Sequence, residues 1–260
     1  MTRSSFYYAA IDEADDGVRA AVVKIAAEFP RFGYRMIRGE LRRRGFDVNA
    51  KRVRRLMREE DLVIPVRRFV ATSEYHPNHG DWPNRVKNRT IATLNDVWAA
   101  DITSIDLGRE FVYLAVIIDL HSRAIRGWWL DRDRSSALTH RALDRALAKH
   151  GAPKIHHSDH GVQYMAKDYV KKLQHHGIAI STSAKGKPMQ NGACERFMRT
   201  LKENEVYLTE YADLADARRR IRRFLEDVYM RKRIHSALDY RTPEEFEAEL
   251  KTRAKTKSSR

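Results

Sequence analysis

Apolar residues recur at helical spacing in three short segments near the start of the chain. The segments cover residues 18–29, 34–44 and 50–60. Pro30 interrupts the first pattern, and Gly45 follows the second, where a glycine commonly ends a helix. Asn49 precedes the third segment as a candidate N-cap. The pattern therefore predicts three helices that share a small apolar core.

A different pattern begins at Val97, where short apolar runs alternate with amphipathic segments. The predicted strands are residues 97–105, 111–119, 124–130, 155–158 and 178–181, and the predicted helices are 135–150, 168–176 and 193–206. Short connections join the first three strands, which predicts an antiparallel meander, whereas helices separate the later strands. This order predicts the α/β class, with a mixed five-stranded sheet and helices on both of its sides.

The rest of the chain shows weaker patterns. Residues 65–94 contain several prolines and asparagines without periodicity, and we interpret them as a basic linker. Residues 213–231 predict a further amphipathic helix, and the basic residues of 251–260 predict a disordered tail. The predicted domains are a helical domain over 1–64, the linker, an α/β domain over 95–208 and a helical extension over 209–260.

The charge of the chain indicates a polyanionic partner. Its 260 residues include 50 Lys and Arg against 35 Asp and Glu, a net charge of +15. Between residues 31 and 68 there are 13 basic and 5 acidic residues. A basic helical unit of this size is typical of a helix-turn-helix that contacts DNA, although a solvated helical hairpin has the same composition. The predicted DNA contacts in this unit are Arg42, Arg43, Arg52, Arg54, Arg55 and Arg58.

Several classes of protein lack support in the sequence. The longest apolar run, 111–118, is far shorter than the roughly 20 residues that span a bilayer. The first residues contain no apolar segment typical of a secretory signal, and Cys194 is the single cysteine, so we expect a cytoplasmic protein without internal disulfides. Neither a phosphate-binding loop of the ATPase type nor the glycine motif of dinucleotide-binding folds is present.

Three acidic residues occupy positions that favour chemistry over simple solvation. Asp101 lies in the middle of the first predicted strand, where burying a charge is costly unless it is compensated. Asp159 follows the fourth predicted strand, and sites are commonly built at the carboxyl ends of such strands. Glu195 lies near the start of the helix over 193–206. Together the three carboxylates predict an active site rather than unrelated surface acids.

Carboxylates without histidine or cysteine partners favour Mg²⁺ or Mn²⁺ over zinc. Two such ions, about 3.5–4 Å apart, support in-line displacement at phosphorus. Asp106 and Asp119 also end strands, and we interpret both as turn residues, with a metal contact as the alternative. For His156, His157 and His160 we favour backbone support or phosphate contact over a role as ligand or base.

The helix over 193–206 predicts one face for DNA and one for the sheet. At about 100° per residue, Glu195, Arg199 and Lys202 project from the same side. The opposite side is apolar and comprises Ala193, Phe197, Leu201 and Leu208. An acidic residue and two basic residues on one helix face suit a metal ion on one side and DNA phosphates on the other. The polar loop before this helix adds two further predicted DNA contacts, Lys185 and Lys187.

Three segments resemble the catalytic blocks of DDE transposases and retroviral-type integrases. They are residues 98–103, 157–164 and 191–197, which contain the three acids. Thirty-five residues separate Asp159 from Glu195, as in the D,D-35-E group, and Lys202 matches the basic residue that follows the Glu there. A further set resembles the family's C-terminal signature: Tyr229, Arg233, His235, Leu238, Thr242, Pro243 and Phe246. The whole pattern resembles the OrfB-type transposases of bacterial insertion sequences.

The resemblance implies an RNase H-like catalytic core and phosphoryl transfer without a covalent enzyme intermediate. It implies that Asp101 bridges two Mg²⁺ or Mn²⁺ ions, that Asp159 and Glu195 complete one ion each, and that Lys202 holds the DNA end. His157 and Asn191 lie in the same blocks and are expected to support the site. The implied partners are insertion-sequence ends and target DNA, other copies of the chain on DNA, and the product or fused half of an upstream reading frame, with no membrane.

Two other functions use the same features differently. A DNA-binding protein with an inactive nuclease-like fold would use the helical unit alone. A structure-specific nuclease of the same fold would cut DNA without joining it. The intact acids oppose the first alternative, and a strand-transfer assay separates the three.

Overall fold

The computed structural model describes residues 3–63, 82–183 and 191–258, and their side chains except those at 3–14, 255, 257 and 258. Its helices are α1 (Arg3–Glu28), α2 (Tyr34–Arg43), α3 (Ala50–Glu59), α4 (Ser136–His150), α5 (Val162–Met165), α6 (Lys167–His175), α7 (Gly192–Asn204), α8 (Leu214–Arg223) and α9 (Pro243–Ser258). Its strands are β1 (Val97–Asp106), β2 (Phe111–Asp119), β3 (Ile125–Asp131), β4 (Ile155–Ser158) and β5 (Ala179–Thr182). The chain divides into two compact units, Met1–Phe69 with Arg233–Thr242, and Val70–Lys232 with Pro243–Arg260.

The first of these, the helical unit, is built around the apolar faces of α1, α2 and α3. Val22, Ile37 and Leu56 are fully buried in its core. Asn49 caps α3 as predicted, because its side chain accepts a hydrogen bond of 2.8 Å from the Arg52 amide. The predicted helices are therefore present, although α1 begins well before the start that the apolar pattern indicated.

A segment from the C-terminal part of the chain completes the helical unit. Ile234 is fully buried in the same core. The Arg233 guanidinium carbon lies 5.0 Å from the centre of the Phe32 ring. The ring of Tyr240 packs directly on Gly39, where a Cβ would overlap it. No local pattern in the sequence indicates this contact, and the domain boundaries given above stay predictions.

The second unit contains a mixed five-stranded sheet in the order β3-β2-β1-β4-β5. β1, β2 and β3 form the predicted antiparallel meander, with Thr103 opposite Leu114 and Leu114 opposite Leu130. β4 is parallel to β1 and β5 is parallel to β4. The predicted fold class is confirmed, and β1 lies at the centre of the sheet.

Helices cover both faces of this sheet. Trp98 and Ala115 belong to the core under α4, α5 and α6. Their strand neighbours Ala99 and Leu114 belong to the opposite core, under α7, α8 and the π-helical turn Phe224–Tyr229. Because successive strand residues point to opposite faces, the continuous apolar run of β2 serves both cores.

The C-terminal helix is held by a buried cluster of charges. Arg126 donates to Asp119 at 2.9 Å and to Glu247 of α9 at 2.8 Å. Asp119 also accepts the backbone N–H groups of His121 and Ser122, which confirms its interpretation as a turn residue. α9 is helical as far as Ser258, so the prediction of a disordered tail is wrong for these residues.

Two further helix predictions need correction. The helix predicted over 213–231 is α-helical only to Arg223 and continues as the π-helical turn. α7 ends at Asn204, and Leu208, predicted on its apolar side, lies in a 3-10 turn with 52% of its surface exposed. Among the helices of the described residues, none has the length and apolar character to cross a membrane.

Gly127→Ala is expected to lower the free energy of unfolding by about 1–3 kcal/mol, because α4 packs directly on the backbone of β3 there. An added Cβ would overlap the Ala142 carbonyl oxygen and come within 2.9 Å of the Ala146 methyl group. The control is Gly17→Ala, an exposed position in α1 with no atom within 4 Å, which should stabilise the helix slightly. Thermal denaturation of both variants tests the packing, and equal melting temperatures would contradict it.

Candidate active site

Asp101 lies on the central strand of the sheet. It is opposite Val116 of β2, and one carboxylate oxygen accepts a hydrogen bond of 2.8 Å from the Ile102 amide. Its neighbours on β1 are mostly buried. This placement leaves the Asp101 carboxylate half-buried beside buried neighbours on the strand.

The register of the parallel strands brings Asp159 beside Asp101. Ala99 of β1 is paired with His157 of β4, and each acid lies two residues further along its strand direction. Adjacent strands are about 4.8 Å apart, and residues two positions on point to the same side of the sheet. The Gly161 amide donates to the Asp159 carboxylate at 3.0 Å, and a Cβ on Gly161 would come within 2.9 Å of the same oxygen. Glycine at 161 therefore allows this close approach.

Glu195 reaches the same place from the first turn of α7. Asn191, buried just before this helix, donates its amide to the carbonyl oxygen of Ala100 at 3.1 Å. That bond connects the beginning of α7 to β1 next to Asp101. Cys194, Phe197 and Leu201 are buried against the sheet. The Glu195 side chain remains partly exposed.

The three acids are electrostatically coupled. The pKa of Asp101 is raised to about 7, first by burial and then by the nearby carboxylates of Asp159 and Glu195. Burial also raises the pKa of Asp159. Like charges close together in a poorly solvated place disfavour the ionised state. Asp101 is thus the common neighbour of the other two acids.

Three family models match the chain. One integrase core domain model matches residues 93–188, a second matches 176–243, and an HTH-like domain model matches 13–69. The two integrase core matches together include the three acids and the segment of the C-terminal signature up to residue 243.

Curated transposases match most of the chain. The transposase for insertion sequence element IS904 of Lactococcus lactis is 34% identical over 222 residues, 84% of this chain and 87% of that protein. Transposase InsF for insertion sequence IS3A of Escherichia coli is 32% identical, over 84% of this chain and 77% of that protein. The chain belongs to the IS3 family of insertion-sequence transposases. The putative transposase InsK for IS150 of E. coli is also 32% identical, over 95% of this chain and 89% of its own length.

Solved integrase cores are similar to part of this chain. The catalytic core domain of HTLV-2 integrase, solved with magnesium, is 17% identical over 58% of this chain and 95% of that chain, with a TM-score of 0.46. The BIV integrase core is also 17% identical, over 62% and 98%, with a TM-score of 0.47. Family membership confirms the resemblance seen in the sequence, whereas these identities are too low to transfer function.

The donor set of this transposase fits a hard divalent cation. The carboxylates of Asp159 and Glu195 add, after burial, to the raised pKa of Asp101, and a cation among the three acids would relieve that repulsion. Among the described residues, however, no three side chains of the ligand types gather around a single point that would enclose one ion. A shared central carboxylate with one partner on either side agrees with both observations.

Two residues near the acids were missed by the sequence analysis. The positive charge of Arg134, in the loop between β3 and α4, opposes the rise in the pKa of both Asp101 and Asp159. Gln163 holds this loop, because its amide donates to the Arg134 carbonyl oxygen at 2.9 Å. The Tyr164 hydroxyl is buried and has no hydrogen-bond partner among the described residues, and both acids contribute to its raised pKa after burial and Tyr169. Arg134 belongs to no pattern that marks chemistry, whereas Tyr164 ends the segment 157–164 but was not singled out there.

His157 is placed as a structural residue. It is fully buried, and its ring nitrogens lie 2.9 Å from the Ser181 hydroxyl and 3.3 Å from the Ser183 hydroxyl. These contacts tie β4 to β5, so of the two supporting roles predicted for His157 the geometry favours packing over phosphate contact. His156 is also buried, its Nε2 lies 3.0 Å from the Tyr169 hydroxyl, and burial lowers its pKa to about 3. Both rings are remote from solvent.

The predicted DNA contacts in the helical unit differ in their surroundings. Arg52 and Arg55 both pair with the buried carboxylate of Asp15, so their charges are partly used within the unit. Arg54 is exposed and lies 3.9 Å above the Tyr34 ring. The remaining three lie on the surface: Arg42 is 3.9 Å from Asp47, Arg43 is 3.6 Å from Glu40, and Arg58 donates to the Arg54 carbonyl at 3.3 Å. All six contacts stay predictions.

The predicted DNA-binding face of α7 carries two cations. Arg199 is exposed and Lys202 is half-buried, and both lie away from the buried stripe of the helix. Neither forms an ion pair with another residue that the structure describes. Lys185 and Lys187 lie outside the described residues.

Asp101→Asn is expected to stabilise the metal-free protein at alkaline pH. The folded pKa of Asp101 is about 7 and its unfolded value is near 3.8, so the folded state binds the proton more tightly. Stability from this group is complete below about pH 4 and is lost as the pH rises to about 7. Asparagine stays neutral, so the variant keeps stability on the order of 1 kcal/mol at about pH 8.

Thermal melting in the presence of a chelator tests whether the substitution stabilises the protein at alkaline pH. The melting temperature of the variant should exceed that of the wild type by a few degrees at about pH 8 and by less at about pH 5. Adding Mg²⁺ should raise the melting temperature of the wild type more than that of the variant. A difference that is independent of pH would contradict the assigned cause.

Proposed function

We propose that this transposase cuts DNA at insertion-sequence ends and joins the freed 3′ ends to target DNA, with divalent ions held by Asp101, Asp159 and Glu195. The observation that carries this proposal is the alignment of Asp101 and Asp159 on neighbouring parallel strands, with Glu195 interacting with Asp101. When bound, a pair of Mg²⁺ or Mn²⁺ ions activates the attacking oxygen and stabilises the leaving oxygen. The carboxylates keep that pair in place.

In the cutting step, water attacks the phosphorus at an element end. The bond from phosphorus to the 3′ oxygen breaks as the water oxygen bonds to phosphorus. One proton of the water ends on the leaving 3′ oxygen and the other passes to solvent, which leaves a 3′-hydroxyl and a 5′-phosphate. Asp101, as the common neighbour of the other two acids, would help to hold both ions. Asn191 fixes the position of Glu195 by tying α7 to β1. Rigid placement of this kind lowers the barrier of an in-line displacement.

In the joining step, the freed 3′-hydroxyl attacks a phosphodiester of the target. One phosphodiester forms as another breaks, so the step needs no nucleotide hydrolysis, in accord with the absence of an ATPase loop motif from the sequence. Lys202 lies on the α7 face that carries Glu195 and is assigned to the phosphate of the reacting end. Arg134 supplies a second cation beside the acids. Both positive charges offset the phosphate charge that the carboxylates repel.

Recognition of DNA is assigned to the helical unit. Its HTH-like match and its surface arginines support phosphate contacts and reading of base edges. We propose that several copies act together on paired ends, and that an upstream reading-frame product or fusion adds recognition. These partners fit the chemistry, because joining two ends to one target requires more than one active site.

A strand-transfer assay with Mg²⁺ and a pre-cut end tests the proposal. Joined products are expected with the wild type. Cleaved but unjoined DNA would assign the chain as a nuclease, and binding without any product would assign it as an inactive DNA-binding protein. Either of those results would overturn the proposed reaction.

A further inference from the structure

A cluster of arginines surrounds Trp129 at the edge of the sheet, away from the acids. Arg141 and Arg145 of α4 lie 5.0 Å and 4.3 Å from the centre of the Trp129 ring, and Arg218 of α8 lies 5.5 Å from it. Arg145 also lies 5.8 Å from the neighbouring Trp128 ring. Three guanidinium groups thus share one aromatic surface.

β3 is the edge strand of the sheet, so its outer backbone groups have no strand partner within the described part of the chain. Arg218 covers one of them by donating to the Leu130 carbonyl oxygen at 3.0 Å. This contact fixes Arg218 across the edge, between α8 and the Trp129 side of the sheet. The edge is therefore closed by a cation rather than by another strand.

The charges in this cluster are only partly compensated. Arg141 lies 3.3 Å from Asp131, whereas Arg145 forms no ion pair with any described residue. The pKa of Arg145 is lowered by burial, and the charges of Arg222 and Arg218 lower it further, against the opposing charge of Glu226. Holding these positive groups close together costs electrostatic repulsion. A surface that retains them indicates a negatively charged ligand.

The spacing along the helices also suits a polyanion. Arg145 follows Arg141 by one turn of α4, and Arg222 follows Arg218 by one turn of α8. Residues four apart lie on the same helix face, about 6 Å apart along the axis. Stacking on Trp129 restricts the arginine side chains before a ligand arrives, so less entropy is lost on binding.

We propose that Arg141, Arg145 and Arg218, which lie around the Trp129 ring, form together with Arg222 a second duplex-binding surface that grips the DNA backbone outside the active site. We call it the β3-edge surface. Guanidinium groups match phosphate oxygens, and phosphate contacts carry no sequence information, so we expect binding here to be independent of sequence. The inference rests on DNA being the substrate, as proposed above.

The test is the salt dependence of duplex binding by the full chain, measured in chelator with a duplex of random sequence. The variant is Arg145→Gln/Arg222→Gln, since both side chains are exposed. Loss of two phosphate contacts should reduce the slope of log affinity against log salt by about 1.8 and weaken binding by at least roughly tenfold at low salt. Arg145→Lys/Arg222→Lys, which retains the charge, should keep most of the slope.

The matched control is Lys167→Gln/Lys171→Gln, which removes the same charge from exposed positions one turn apart on α6. Its slope should stay close to that of the wild type. An unchanged slope in the arginine variant, or an equal loss in the control, would overturn the β3-edge surface. If duplex binding by the wild type did not depend on salt, the proposed function itself would be contradicted.

Sedimentation of the same variants gives a second readout. The wild type and the arginine variant should have equal mass without DNA. A change in oligomeric state, with unchanged DNA affinity per chain, would mean that the cluster contacts another copy of the protein, and the proposal would be abandoned. Melting temperatures confirm that each variant is folded.

Discussion

Asp101→Asn, Asp159→Asn and Glu195→Gln are each expected to abolish both cutting and joining. Each change keeps the shape of the side chain and removes one negative ligand, so activity should fall by at least roughly a thousandfold. Duplex affinity should remain near the wild-type value, because the acids repel DNA rather than hold it. Cleavage and strand transfer in Mg²⁺, measured beside a binding isotherm, check this expectation.

The control for these variants is Asp106→Asn. Asp106 ends the same strand as Asp101, is exposed, and accepts the Gly108 amide at 2.8 Å as a turn residue. The Asp106→Asn variant should have wild-type cutting and joining activity. The double variant Asp101→Asn/Asp159→Asn should be little worse than either single variant, because the acids act as one unit. Near-normal activity of any single acid variant in Mg²⁺ would show that the assigned ligand set is wrong.

Lys202→Ala should slow joining by roughly a hundredfold while leaving duplex affinity nearly unchanged. One phosphate contact among many contributes little to binding, but an end misplaced by about 1 Å reacts far more slowly. Strand transfer of a pre-cut end at saturating protein isolates the rate from the affinity. A variant whose binding falls more than its joining rate would contradict the role given to Lys202.

The comparison for Lys202 is Arg54→Gln/Arg58→Gln in the helical unit. This pair is exposed and free of the Asp15 ion pairs that occupy Arg52 and Arg55. The affinity of the variant for element ends and its selectivity for them should fall. The rate at which it joins pre-cut ends that are already bound should stay near the wild-type value. Substitution is a cleaner experiment than deletion of the N-terminal helices, because deletion would expose Ile234, which is buried among them. If Arg54→Gln/Arg58→Gln kept the wild-type selectivity for element ends, the assignment of DNA recognition to the helical unit would be contradicted.

The parts of the fold that follow local periodicity could be predicted from the sequence. β2 and β4 have the bounds that the apolar runs indicated, and α4 differs by one residue at its start. The three acids were singled out because each breaks a local pattern: an acid in an apolar strand, one at a strand end, and one at a helix start. The proximity of Asp101 and Asp159 then follows from the pairing of Ala99 with His157.

Features that depend on distant contacts could not be predicted. Ile234 and Tyr240 lie far along the chain from the helices that they pack on. Arg134 is one basic residue among 50, and only the path of the β3–α4 loop brings it to the acids. Residues 251–258 of α9 were mistaken for a disordered tail because the helix is anchored upstream of them by Glu247, whose partner Arg126 is on β3. Such contacts leave no periodic signal.

The most direct measurement of the central claim is the position of bound Mn²⁺ in crystals of the chain with a pre-cut DNA end. Anomalous scattering locates the ions without reference to activity. The account predicts two peaks, one shared by Asp101 and Asp159 and one shared by Asp101 and Glu195. Ions bound elsewhere, or a DNA end engaged without any ion at Asp101, would contradict it.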